Sequence, residues 1–114
     1  LCFIADQDAG RKGVFVDFFN RPASWYRSIA LLAMRYQTPI IVGHCPRVSA
    51  NRFRYRAVVE RIIMPEEWAD ERDPVRWITA QYAQAFERAI ATYPEQYLWM
   101  HRRWKSQPRG ARTE

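Results

Sequence analysis

The chain has 114 residues, 48% of them hydrophobic, and a formal net charge of +6. This composition excludes an intrinsically disordered protein, and the length allows one modest hydrophobic core but not two. No apolar run approaches the roughly 20 residues of a membrane-spanning helix, and Cys2 and Cys45 form neither a disulfide framework nor a metal-ligand pattern. The positive charge favours acidic partners, among them nucleic acid, anionic lipid head groups, a phosphorylated glycolipid or an acidic carrier protein.

The first half of the sequence predicts short strands around one helix. Apolar runs typical of buried strands cover residues 1–6, 14–19 and 39–46. A turn at 20–22 closes the second run, and Ser24 is a suitable N-cap for a helix over 25–36. The last run is continuously apolar, which is typical of a parallel strand covered on both faces.

The second half predicts one long strand and one long helix. Residues alternate between 52 and 63, so that one face carries Phe53, Tyr55, Ala57 and Val59 and the other carries Arg52, Arg54, Arg56, Val58 and Glu60. A helix is expected over 74–92, with Asp73 as its cap and Pro74 in its first turn. Together the elements predict an α/β fold, a partial layered sandwich in which helices flank a mixed, mostly parallel sheet.

Three stretches of the sequence resemble one protein family. They read IADQDAGRKGVFVDFFNRPAS at 4–24, ALLAMRYQTPIIVGHCPR at 30–47 and YPEQYLWMHRRWKSQP at 93–108. Together they resemble the bacterial lipid A biosynthesis acyltransferases, within the wider lysophospholipid acyltransferase-like superfamily. Asn20 stands where that family usually has glycine, and His44 stands where an apolar residue is usual. The resemblance implies that residues 1–108 are the C-terminal part of a single, here incomplete, acyltransferase-like domain, and we expect a disordered tail over 109–114.

The resemblance also implies a reaction. A fatty acyl group would move from an acyl-carrier-protein thioester to a hydroxyl of a phosphorylated glycolipid, the lipid A precursor, at the cytoplasmic face of the inner membrane. The family's general base is a histidine followed five positions later by Asp or Glu, but at that distance Ser49 follows His44 and Ser106 follows His101. We therefore expect the catalytic motif upstream of Leu1 and no activity from this chain alone. No metal or organic cofactor is implied.

Two adjacent motifs are candidates for substrate binding. The resemblance places Asp6 and Gln7 at the site, where they would orient a sugar or hydroxyl or hold a neighbouring arginine; residue type alone favours a pair that caps its own loop. Arg11, Lys12 and Gly13 could meet a phosphate, since glycine lets the backbone approach an anion. Two cations beside a glycine are, however, more often a solvated turn.

Aromatic and basic side chains supply the remaining candidates. Phe19, with its neighbours on the same strand, could line an acyl-chain groove, although at least one of these rings is expected in the core. In the C-terminal segment we expect Trp99 inside and Arg102 or Arg103 on phosphates or an anionic membrane surface.

Other functions remain open at this point. The same fold could serve a different glycolipid or phospholipid acceptor. The three arginines of the strand over 52–63 could form a basic nucleic-acid-binding module, but Phe53 and Tyr55 would point to the opposite face, so we predict no nucleic-acid partner. An exposed sheet edge or apolar patch is also expected.

Overall fold

Two β-hairpins and one long helix form the framework of residues 1–110, which are the residues that this computed structural model describes. The predicted α/β class is confirmed. Of the tail predicted over 109–114, residues 111–114 lie outside the described residues. No helix in the described part is both long and apolar enough to cross a bilayer.

The first hairpin pairs β1 (Val14–Phe18) with β2 (Arg21–Trp25) in antiparallel fashion. Phe19 and Asn20 form the turn, and both have positive φ, 49° and 61°, as a two-residue hairpin turn requires. The buried apolar side chains of this hairpin are Val14, Val16, Phe18, Ala23 and Trp25. This hairpin therefore presents one apolar face to the rest of the molecule.

The strand β2 replaces the turn and helix start that we predicted between residues 20 and 27. Pairing with β1 buries Ala23 and Trp25 completely, and a helix beginning at residue 25 would lose this burial. Helix α1 consequently spans Ser28–Tyr36. Ser24 is not its cap, because the Ser24 hydroxyl donates to the carbonyl oxygen of Gly10.

The second hairpin pairs β3 (Ile40–His44) with β4 (Val58–Ile63), again antiparallel. The predicted mostly parallel sheet is therefore not seen in residues 1–110. Residues 52–57 are exposed and lie outside any strand except for one isolated bridge. The run 1–6 also forms no strand, since no described strand lies beside it to take its backbone hydrogen bonds.

A β-bulge changes which side chains of β4 face inward. Val42 lies opposite Arg61, but the next residue of β3 lies opposite Val59, so that Glu60 is an extra residue in the ladder. The alternation changes phase at this point. Glu60 lies on the less exposed face before the bulge, and Arg61 and the fully buried Ile63 lie on it afterwards.

Helix α3 (Pro74–Thr92) packs against both hairpins. Its predicted start is confirmed, because the Asp73 side chain accepts a hydrogen bond of 3.2 Å from the Arg76 backbone N–H. The inner face of this helix supplies much of the core, with Ile78, Thr79, Tyr82, Ala83, Ala85, Ala89 and Ile90 buried. A short helix α2 (Pro65–Trp68) precedes it, and a 3₁₀ turn (Pro94–Gln96) follows it.

The outer face of the second hairpin is apolar and exposed. Ile41, Val59 and Ile62 are 66%, 60% and 47% exposed, and the N-terminal residues Leu1 and Ile4 are exposed as well. Exposed apolar surface of this kind marks contact surfaces or aggregation-prone sites.

We expect Gly13→Ala to lower the free energy of unfolding by about 2–3 kcal/mol. A Cβ at this position would overlap the Ser24 Oγ and lie 2.8 Å from the Trp25 carbonyl oxygen, which belongs to a paired strand. Gly10→Ala is the control, because its φ is 80° but nothing lies within 4 Å of the new Cβ, and backbone strain alone costs about 1 kcal/mol. Chemical denaturation of the intact protein measures both changes, and equal losses would contradict crowding at Gly13.

Candidate functional site

A cleft of about 1060 Å³ opens between the N-terminal residues, α1, β3 and α3. Most of its wall is aliphatic or aromatic, as at Ile29, Leu32, Ile40 and Phe86. Its polar side chains include Asp6, His44, Gln96, Tyr36, Tyr82, Tyr93 and Tyr97. A large apolar cleft with a few convergent polar groups is the usual form of a small-molecule site.

The loop that carries Asp6 is held by residues from the far end of the chain. The Asp8 backbone N–H donates to Nε2 of His101 over 2.9 Å, and the Ser106 hydroxyl donates to Oδ2 of Asp8 over 2.8 Å. The Tyr97 hydroxyl donates to the Asp6 carbonyl oxygen over 3.3 Å. Residues 6–8 are therefore fixed at the cleft wall by side chains of the C-terminal segment.

Arg103 ties the same segment to the first hairpin. Only 1% of its surface is exposed. The guanidinium carbon lies 4.1 Å from the ring centroid of Trp25 and 5.5 Å from that of Phe18, within range of a cation–π interaction. Nη1 donates to the Ser24 carbonyl oxygen over 2.8 Å.

Arg103 and Asp6 share an enclosed electrostatic environment. Nε and Nη2 of Arg103 and Oδ1 of Asp6 are buried without a hydrogen-bond partner among residues 1–110. Burial lowers the pKa of Arg103, and Tyr97, Asp8 and Asp6 act against that shift. Asp6 therefore acts on Arg103 through charge, and no hydrogen bond joins the two side chains in the described residues.

The structure separates the residues that the sequence grouped as substrate-binding. Asp6 lines the cleft, whereas Gln7, Arg11, Lys12 and Arg102 are exposed to solvent. The position of Gly13 is explained by packing, since any side chain there would meet β2. Phe19 sits in the hairpin turn, where its backbone N–H donates to Glu87 Oε1 over 2.7 Å.

The structure places two side chains of the C-terminal segment differently from what the sequence suggested. Arg103, expected on a phosphate or membrane surface, is 1% exposed, and its guanidinium carbon lies 4.1 Å from the Trp25 ring centroid. Trp99, expected inside, is 51% exposed. Trp104 takes the inner position instead, with its ring centroid 5.7 Å from that of Phe18 and its Nε1–H donating to the Phe18 carbonyl oxygen.

The basic segment 52–56 does not have the geometry assumed in the sequence argument. Its arginines and aromatic residues are all exposed, and the Arg47 guanidinium carbon lies 5.1 Å from the Phe53 ring centroid. Cations and rings therefore share one exposed segment, so the opposite-face argument against nucleic acid no longer applies.

Sequence reasoning also missed several polar partners. His44 and Glu60 meet across the second hairpin, with Nε2 and Oε1 2.9 Å apart, and sixteen positions of separation hide this pair from any motif search. The roles of Asp8 and Ser106 depend on contacts 98 residues apart. Within the described part of the chain, no three His, Cys, Asp or Glu residues gather closely enough to hold a metal ion.

Comparisons with known proteins identify the family of this chain. Residues 1–106 match the family model described as bacterial lipid A biosynthesis acyltransferase. The chain is also similar to the lipid A biosynthesis lauroyltransferase of Escherichia coli (strain K12), with 28% identity over 109 residues. That match covers 95% of this chain but 34% of the relative, so the chain spans about a third of the relative's length.

We expect Arg103→Ala to lower the free energy of unfolding by about 3 kcal/mol, because it removes the packing on Trp25 and Phe18 and leaves the Ser24 carbonyl without its donor. The adjacent Arg102 is exposed, and Arg102→Ala should change the same free energy by less than about 0.5 kcal/mol. Chemical denaturation of the intact protein distinguishes the two. Similar small effects would show that the enclosed guanidinium is not structural.

A second expectation concerns alkaline pH. Burial raises the pKa of Tyr82 to about 12 from its ordinary value of 10.0, and its hydroxyl donates to the Tyr26 carbonyl oxygen. Because the folded-state pKa is raised, this contribution to stability is complete below pH 10 and is lost as pH rises through about 12. Tyr82→Phe should therefore lose less stability than the wild type between pH 10 and 12, as measured by denaturation at each pH. Identical losses of stability in Tyr82→Phe and the wild type would show that the ionisation of Tyr82 does not cause the alkaline loss.

Proposed function

Because this chain belongs to the bacterial lipid A biosynthesis acyltransferase family, we propose that the protein transfers a fatty acyl group from an acyl-carrier-protein thioester to a hydroxyl of a lipid A precursor. The observation that carries this proposal is the apolar cleft with Asp6 at its wall. Its volume suits an aliphatic chain, and Asp6 supplies a carboxylate beside it.

In this proposal the general base comes from a part of the enzyme beyond these 114 residues. Acyl transfer to a hydroxyl needs a base that removes the hydroxyl proton and a group that orients this base. Nε2 of His101 already accepts the Asp8 backbone N–H, so His101 acts in holding the loop. His44 lacks the family's spacing, and the chain spans 34% of its lauroyltransferase relative.

Asp6 would then orient the acceptor. The loop of residues 6–8 is fixed by hydrogen bonds from His101 and Ser106, and a fixed carboxylate can hold a hydroxyl in one geometry for attack. The buried charge of Arg103 would help to hold the Asp6 carboxylate in position. Arg103 is thus a positioning residue rather than a direct ligand of the substrate.

The exposed cations suit the charged partners of such a reaction. Arg11, Lys12 and Arg102 are solvent-exposed and would meet acceptor phosphates or the acidic carrier protein. The exposed basic and aromatic segment 52–56 would lie on the anionic lipid surface at the cytoplasmic face of the inner membrane.

We expect Asp6→Asn in the intact protein to lower kcat/KM for acyl transfer about 10- to 100-fold, the effect of losing one charge-assisted hydrogen bond. Gln7→Ala is the matched control, since Gln7 is its exposed neighbour, and should stay within about twofold of the wild type. The assay follows transfer from acyl-carrier-protein thioester to a purified lipid A precursor. Equal effects of the two substitutions would remove Asp6 from the site.

The acceptor is identified by mass spectrometry of lipids from cells that lack the complete gene. Loss of one acyl chain from lipid A supports the proposal. Unchanged lipid A together with a changed glycolipid or phospholipid would assign the enzyme to another acceptor. A salt-dependent mobility shift with single-stranded nucleic acid, with all lipids unchanged, would instead support the basic binding module.

A further inference from the structure

The connection between β3 and β4 is held in shape by its own backbone. Within residues 46–57, here called the basic loop, an isolated antiparallel bridge joins Arg47 and Tyr55. Two backbone hydrogen bonds of 2.9 and 3.0 Å flank this bridge, from the Val48 N–H to the Arg54 carbonyl oxygen and from the Arg56 N–H to the Pro46 carbonyl oxygen. The basic loop is therefore a short antiparallel ladder.

Gln96 completes the outer side of this ladder. A residue of a bridge that is flanked by hydrogen bonds in this way turns its own N–H and C=O away from its partner, and Arg47 does so here. Oε1 of Gln96 accepts the Arg47 N–H over 2.8 Å, and Nε2 donates to the Arg47 carbonyl oxygen over 2.9 Å. The side-chain amide thus takes the place of a peptide group from a neighbouring strand.

The 3₁₀ turn after α3 holds Gln96 in place. The Gln96 backbone N–H donates to the Tyr93 carbonyl oxygen over 3.0 Å, and the Trp99 Nε1–H donates to the Pro94 carbonyl oxygen over 2.6 Å. The shape of the basic loop is therefore tied to the end of the long helix, although 49 positions separate Arg47 from Gln96.

The basic loop displays positive charge without acidic neighbours in the sequence. It carries four arginines, and no acidic residue occurs between Asp17 and Glu60. The ion pairs seen among residues 1–110 involve none of these four. The exposed ones are Arg52, Arg54 and Arg56.

Apolar side chains accompany these cations. Phe53 is 89% exposed and Tyr55 is 57% exposed, and Val59 and Ile62 are exposed on β4, to which the loop leads. Aromatic rings beside arginines are typical of segments that lie in the head-group region of a bilayer. Aliphatic side chains enter that region but do not stack on bases, and an acidic protein surface would meet only the cations. The combination therefore favours lipid over nucleic acid or a carrier protein.

We propose that Gln96 is a positioning residue that holds the basic loop in the shape with which it docks on an anionic lipid surface. Phe53 enters the head-group region, and the three exposed arginines contact lipid phosphates. Because Gln96 fixes the loop before binding, docking requires less ordering of the chain. The inference rests on the proposed function in placing the enzyme at an anionic membrane, and it adds the residue that shapes the contact.

Tryptic cleavage of the intact wild-type protein measures contact at the loop, since trypsin cuts after arginine and needs local opening of a folded segment. Vesicles of phosphatidylglycerol and phosphatidylcholine should slow cleavage after Arg52, Arg54 and Arg56 roughly fivefold or more. Vesicles of phosphatidylcholine alone should not. Cleavage after Arg72, an exposed arginine between α2 and α3, is the internal control and should proceed at the same rate with either kind of vesicle.

Gln96→Met tests the positioning role, because it keeps the length of the side chain and removes both hydrogen bonds to Arg47. Without vesicles, cleavage in the loop should become roughly three- to tenfold faster, and protection by anionic vesicles should fall. Gln84→Met is the matched control, since it places the same side chain at an exposed glutamine of α3 that is not among the groups that hold the loop. Unchanged cleavage and protection in Gln96→Met would overturn the role of Gln96.

A second variant covers the case in which Gln96→Met does not fold, which faster cleavage after Arg72 would reveal. Gln96→Glu keeps the acceptor for the Arg47 N–H and loses the donor. Its cleavage rate in the loop, measured without vesicles, should exceed that of the wild type by a smaller factor, and a rate equal to the wild type would count against Gln96.

Phe53→Ala tests the insertion of the ring and should weaken protection by anionic vesicles roughly tenfold. Tyr26→Ala is its control, because Tyr26 is an exposed aromatic residue between β2 and α1. Equal protection in the two variants would remove Phe53 from the contact.

The remaining outcomes separate this inference from the proposed function. Equal protection of the wild type by the two kinds of vesicle, or by neither, overturns the inference. Protection by acyl-carrier protein or by single-stranded nucleic acid, with none from anionic vesicles, assigns the loop to that partner instead. Acyl transfer is assayed separately, and its absence with anionic protection intact would overturn the proposed function and leave the lipid-docking loop standing.

Discussion

Burying a guanidinium group raises the free energy of the folded state unless aromatic faces, hydrogen bonds or opposite charges replace its lost interactions with water. In this protein the compensation for Arg103 comes from the first hairpin, through the rings of Trp25 and Phe18 and the Ser24 carbonyl. The C-terminal segment has little regular secondary structure of its own beyond one 3₁₀ turn. Its position is set by this contact.

The Arg103 contact also determines the position of the loop at the cleft wall. Once Arg103 is seated, the flanking residues His101 and Ser106 reach Asp8 and hold the loop that presents Asp6. Trp104 covers Phe18 at the same time. One enclosed cation thus links the packing of the hairpin to the geometry of the candidate site.

Local signals in the sequence explain what could be predicted. Helix α3 was predicted correctly because Asp73, Pro74 and the apolar period all lie within the helix or at its start. The strand β1 and the apolar run at β3 were predicted for the same reason. The resemblance of residues 4–24 and 93–108 to the acyltransferases pointed to the family that the comparison confirms. Among the substrate-binding candidates that the sequence suggested, Asp6 is the one that lines the cleft in the described residues.

The missed features depend on tertiary pairing. The sequence of β2 contains a proline and directly follows the turn residue Asn20, and only its partner β1 makes Arg21–Trp25 a strand. The bulge at Glu60 changes the phase of an alternation that looks continuous in the sequence. Arg103 belongs to a run of cations, and nothing local distinguishes the enclosed one from exposed Arg102. Tertiary burial decides which segment forms a strand and which arginine is enclosed, and a local sequence pattern does not encode that burial.

The long separation of the contacts to the C-terminal segment bears on how the protein is made. Arg103 and Trp104 reach partners 79 and 86 residues earlier, so a growing polypeptide on the ribosome can form both hairpins well before these two residues can cover Phe18 and Trp25. During that interval the uncovered rings are available to chaperones or to neighbouring nascent chains. Premature release shortly before codon 103 would leave this aromatic surface permanently open.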